Sequence, residues 1–182
     1  MASSPSSPMA TAQPCFSYDG FLSFRGEDTH HLYTALKQAG LRTFRDDDAM
    51  ERGKLLEPEL NKAIHESALS PIVFSNDYAS SERRLNEVMM IIKEHETLSV
   101  KHEVVPVFYK VEPSDVRNQR GSFEDTFDAY DDKINAETDL EKKKKLLEKV
   151  GAWKDSLRKS CNFNRNGTWG WVYMYASSYK NH

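Results

Sequence analysis

The chain has 182 residues, the size of one ordinary domain with short tails and too small for two full cores. Charged residues make up 29% and apolar residues 38%, and no run approaches the roughly 18 apolar residues of a membrane span, so no membrane partner is expected. A net charge of -3 and a pI near 6.1 exclude a global basic field of the kind that draws a protein onto nucleic acid or anionic lipid.

Residues 1–16 form a Ser/Pro-rich leader with neither a basic n-region nor an apolar h-region, which reads as a disordered segment. The first strand is expected at Phe21-Leu22-Ser23-Phe24. A short helix over 31–40 ends at Gly40 in the C′ position and leads into a second strand, Leu41-Arg42-Thr43-Phe44. Pro58 suits a first helical residue, with Leu56, Leu60 and Ile64 as the stripe of that helix. Ile72-Val73-Phe74 reads as a third strand. Ser80 or Ser81 then caps a helix whose Leu85, Val88, Met89 and Ile92 share one face.

A fourth strand spans 104–109, and a helix over 139–159 carries Leu146, Val150, Trp153 and Leu157 on one side. Lys142 to Lys145 fall largely on the other side and read as a solvated helix face rather than a nucleic-acid patch. The aromatic stretch 169–175 has the propensity of a fifth strand, and no final helix is visible after it. Short apolar runs alternating with helical patterns predict βαβ units around a parallel sheet covered on both faces. Cys15 and Cys161 stand far apart, and the six histidines are scattered apart from His30-His31. That pattern fits a reducing compartment and gives no metal site.

The connecting residues carry a resemblance. Tyr18-Asp19-Gly20-Phe21-Leu22-Ser23-Phe24-Arg25-Gly26-Glu27-Asp28-Thr29 differs at one position from YDVFLSFRGEDT, the first strand and loop of plant TIR (Toll/interleukin-1 receptor-like) domains. Later blocks follow in family order: Thr43-Phe44-Arg45-Asp46-Asp47, Glu51-Arg52-Gly53, Tyr78-Ala79-Ser80-Ser81, Pro106-Val107-Phe108-Tyr109 and Pro113-Ser114-Asp115-Val116-Arg117. The sequence therefore resembles the TIR domain of the plant TIR-type disease-resistance family, without that family's last helix.

The resemblance implies an α/β fold, a five-stranded parallel sheet flanked by helices on both faces in the flavodoxin-like TIR arrangement. The domain would span 17–160, with a divergent aromatic tail over 161–182. It also implies cytoplasmic, or nuclear, innate immune signalling and cleavage of the nicotinamide–ribose bond of NAD. NAD would be substrate, with no cofactor. Expected partners are NAD and TIR domains of the same or related proteins through weak self-association, with no nucleic acid. In open parallel sheets ligands bind beyond the carboxyl ends of the strands.

By the Tyr-Ala-Ser-Ser…Leu-x-Glu frame, the family's catalytic glutamate corresponds to Glu87, and NAD contacts correspond to Phe24, Arg25, Gly26, Glu27, Asp28, Thr29 and Gly53. Helical geometry alone puts Glu87 roughly 200° from Leu85 and off the apolar stripe, where a glutamate is ordinarily solvated. Asp46-Asp47-Asp48 does not make a phospho-acceptor site, because Arg25-Gly26 and Ser75-Asn76 occupy the positions where a receiver domain needs acids.

Three departures from the family pattern stand out. Where relatives have Arg-Trp-Cys-Leu-Asp-Glu, this chain has Glu82-Arg83-Arg84-Leu85-Asn86-Glu87, so a pocket tryptophan becomes Arg83. Thr29 runs directly into His30, which shortens the first helix, and the family's last helix has no counterpart. These departures keep a second reading open, a catalytically weak adaptor or decoy that joins intact TIR receptors.

Overall fold

The computed structural model describes residues 16–26, 30–45, 57–97, 102–163 and 172–174. Its strands are β1 (Tyr18–Phe24), β2 (Thr43–Arg45), β3 (Ser67–Phe74), β4 (Glu103–Tyr109) and the short β5 (Val172–Met174). All pair in parallel in the order β2-β1-β3-β4-β5, so β1 through β4 carry the sheet and β5 extends its β4 edge. The helices are α1 (His30–Gln38), α2 (Glu57–His65), α3 (Glu82–Thr97), α4 (Pro113–Asn118), α5 (Ser122–Ala136) and α6 (Leu140–Ser160). A 3-10 turn, Tyr78–Ser80, precedes α3.

Alternation along the strands sorts side chains onto the two faces of the sheet. Phe21, Ile72, Phe74 and Phe108 enter the larger core with Leu60, Ile64, Leu85, Val88 and Trp153, supplied by α2, α3 and α6. Leu22, Phe24, Val73 and Val107 enter a smaller core with Tyr33 of α1. The parallel α/β architecture with helices on both faces follows the alternation in the sequence.

Several expected local signals are present. α1 closes in a Schellman motif: Gly40 N–H donates to the Lys37 carbonyl (3.0 Å) and Leu41 N–H to the Leu36 carbonyl (3.1 Å), with Gly40 at φ +80°. Asp139 caps α6 by accepting from the Glu141 and Lys142 amides. Lys142, Lys144 and Lys145 lie on its exposed side. The strand expected within 169–175 is realised as β5.

Two helices were not expected, α4 and α5, and α5 contributes Phe123, Phe127 and Ile134 to the larger core. Residues 1–15, the Asp46-Asp47-Asp48 run, Leu56 and the positions after 174 lie outside the described residues, as does the question of a final helix. Among the described residues, no helix is long and apolar enough to cross a membrane.

Candidate functional site

β1 lies between β2 and β3, so the chain winds in opposite directions from it, and the carboxyl ends of β1 and β3 mark the switch point beyond which open parallel sheets bind ligands. The first turns of α3 cross this end of the sheet. Glu87, on α3, is completely buried there. Its Oε2 accepts a hydrogen bond from the Ser23 hydroxyl of β1 (2.6 Å), and its Oε1 accepts from Arg84 Nη1 (2.5 Å). Arg83 Nε lies 3.8 Å from the same Oε1.

Tyr78 completes the network, with its hydroxyl 2.8 Å from Ser23 Oγ and 3.2 Å from the Arg84 carbonyl. Each hydroxyl carries one proton. Ser23 gives its proton to the carboxylate, so Tyr78 is the donor in the Ser23 contact and shares its proton with the Arg84 carbonyl. Burial, and then the negative charge of Glu87, push the Tyr78 phenol well above its usual range and keep it neutral.

The loops after β1 and β3 are tied together beside this network. Arg25 donates from Nη1 to Ser80 Oγ (2.7 Å) and pairs through Nε with Asp77 (3.5 Å). Ser75 donates to Asp77 Oδ1 (2.6 Å). Gly26 sits at φ +95°, where a Cβ would meet Asp77 Oδ2 at 3.4 Å. Glycine is required by the backbone there, and it lets the loop pass close over the Asp77 carboxylate. The Arg25 guanidinium is half-exposed beside this switch point.

Of the residues expected to act together, Glu87, Arg25 and Gly26 are brought to one end of the sheet. Phe24 closes β1 at the same end of the sheet, with its side chain packed in the smaller core on the face opposite Ser23. Glu27, Asp28, Thr29 and Gly53 lie outside the described residues.

The expectation of a solvated Glu87 is corrected. The buried face of α3 comprises Arg84, Leu85, Glu87, Val88, Ile91 and Ile92, wider than its apolar stripe. It widens because the head of α3 lies over Ser23 and Tyr78, which supply polar partners where the apolar core stops.

Sequence reasoning missed Ser23, Asp77, Tyr78, Ser80 and Arg84 as members of this cluster. Ser23 had a usable signal, since it is a polar residue inside an apolar strand, two positions from Phe21 and on the same face. Among the described residues, no group of acids, histidines or cysteines is arranged to hold a metal ion.

Comparison with known proteins gives a consistent picture. The TIR domain family model matches residues 17–169. The disease resistance protein RPV1 of Vitis rotundifolia is 42% identical over 168 residues, covering 90% of this chain and 11% of that protein. The TMV resistance protein N of Nicotiana glutinosa is 41% identical over 167 residues, covering 89% of this chain and 13% of that protein. The chain thus spans about a tenth of the length of these curated relatives. Among solved structures, the TIR domains of the activated Roq1 resistosome, which directly recognises the pathogen effector XopQ, superpose with a TM-score of 0.68 at 38% identity. That match covers 91% of this chain and 92% of the other.

Proposed function

The chain belongs to the TIR domain family, and on that premise we propose that it is a plant immune-signalling domain that cleaves the nicotinamide–ribose bond of NAD. One observation carries the catalytic part: a carboxylate, Glu87, held by Ser23 near the carboxyl end of β1, at the topological switch point where open parallel sheets in general bind ligands. Breaking an N-glycosidic bond leaves positive oxocarbenium character on the ribose, and a carboxylate at that point stabilises it. Nicotinamide departs as a neutral amine, so the reaction asks for no strong general acid. Arg25, beside the tight Gly26 turn, would answer the charge of the pyrophosphate. Water would complete hydrolysis, or the adenine ring would close a cyclic product.

The test is nicotinamide release from NAD by the purified chain and by Glu87→Gln. The expected result is measurable release by the wild type and none by the variant; equal release by both would remove Glu87 from the mechanism.

A second reading is favoured by a specific observation: both Glu87 oxygens are engaged inside the protein, with no exposure to solvent. On this reading the chain is a non-catalytic adaptor or decoy that joins TIR assemblies of the kind the Roq1 resistosome suggests. No release by a folded wild-type chain, even at high concentration, would select it. On either reading we place the protein in the cytoplasm or nucleus.

A further inference from the structure

We propose that Arg84 is an internal competitor for Glu87, and that the Arg84–Glu87 pair must open before the carboxylate can meet a substrate ribose. The inference rests on the NAD-cleaving reading above and adds a control element to that site. Arg84 lies one helical turn before Glu87, on the same buried face of α3. Its guanidinium donates to Oε1 at 2.5 Å, and both side chains are almost wholly withdrawn from water.

The circuit around the pair is closed. Ser23 holds the other carboxylate oxygen, Tyr78 holds Ser23, and Tyr78 also reaches the backbone carbonyl of Arg84. Low local dielectric strengthens such a pair, so separating the charges without a replacement partner is expensive. A carboxylate in this state cannot touch a ribose, and its guanidinium partner travels with it on the same helix. Opening therefore requires a new arrangement at the head of α3, and the competent state is a fraction of the whole. When opening precedes binding, apparent affinity falls by that fraction while the rate of the bound complex does not.

The test compares steady-state NAD cleavage by the full chain, Arg84→Met and Glu87→Gln, with folding followed by circular dichroism. Arg84→Met is expected to lower KM by about tenfold with kcat retained. A purely structural role would instead lower kcat per mole of protein and leave KM in place. Should Arg84→Met fail to fold, Arg84→Gln keeps a neutral donor toward Oε1 and is expected to lower KM in the same direction. An unchanged or higher KM in a folded Arg84 variant, with cleavage abolished by Glu87→Gln, overturns the competitor role and leaves the catalytic reading standing. Cleavage that survives Glu87→Gln, or no cleavage by any folded protein, overturns both.

Discussion

At the scale of single residues, the candidate site turns on which partners a fully buried carboxyl group finds. Glu87 is answered by Arg84 at 2.5 Å, by the Ser23 hydroxyl at 2.6 Å and, less closely, by Arg83 at 3.8 Å. Replacing Glu87 by alanine would strand the Arg84 guanidinium and remove the acceptor for Ser23, a loss on the order of 3 kcal/mol of folding stability. Chemical denaturation checks this, and Glu87→Gln, which keeps the shape and one acceptor oxygen, should lose clearly less. Arg83→Trp should raise turnover roughly five- to thirty-fold by removing one cation beside the carboxylate and adding an aromatic wall, corresponding to about 1–2 kcal/mol. Equal or lower nicotinamide release by the folded variant would show that Arg83 does not limit the site. In the sequence, only the Tyr78-Ala79-Ser80-Ser81 frame singles out Glu87 as a candidate site residue. Its burial was not legible, because a helical wheel registers where apolar side chains fall and is silent about a polar patch on the opposing strand. Arg84 was hidden for the same reason: an arginine beside a glutamate on a helix ordinarily reads as a surface pair.

At the scale of elements, the helix termini and strand cores were readable from local chemistry, while polar stretches that are nevertheless buried were not. β3 begins at Ser67, well before the apolar run at Ile72, because Ser67 donates to the Ala63 carbonyl (2.7 Å) and Ser70 bonds His102 Nε2 (2.9 Å). Satisfied serines are as compatible with a strand interior as valines, but hydropathy does not reveal the partner. In α5, Phe123, Phe127, Tyr130 and Ile134 do recur at helical spacing, masked by the acidic residues among them. α4, with six residues, is too short to show a period. Two glycines give the element scale a paired test, since a Cβ at Gly40 or at Gly151 meets nothing within 4 Å. Backbone conformation alone therefore decides the sign. Gly40→Ala should cost about 1 kcal/mol, because φ +80° closes the α1 cap. Gly151→Ala, inside α6, should add roughly 0.5–1 kcal/mol. Thermal melts of the two variants moving in the same direction would contradict this account.

At the scale of the whole molecule, α3 runs from the candidate site to the opposite end of the sheet, where a second polar cluster sets how stability responds to pH. His102, just before β4, is buried, with Nε2 on Ser70 Oγ at 2.9 Å and Nδ1 without a hydrogen-bond partner among the described residues. His95 Nδ1–H donates to the His102 carbonyl (2.5 Å), and Glu94 pairs with His65 nearby (2.5 Å). Burial, reinforced by the neighbouring His95 and His65 against the opposing pull of Glu94, lowers the His102 pKa from 6.5 to about 4. The sign follows from proton binding. Above pH 6.5 the imidazole is neutral in both folded and unfolded chains and stability is complete. Between 6.5 and about 4 the unfolded chain binds a proton that the folded chain refuses, so stability falls as pH drops, by up to roughly 3 kcal/mol across the window. Asp19 and Asp155 act in the same direction, but their lowered values place their contribution below the ordinary aspartate value of 3.8. The interval from pH 6.5 to 4 therefore separates His102 from these two aspartates. Urea midpoints measured at pH 7.5 and pH 5 should differ, with the lower value at pH 5, and His102→Gln, which keeps a polar atom near Ser70 without the titration, should shrink that difference. An equal difference in the variant would show that His102 is not its source and leave His102 as a neutral brace between β3 and β4.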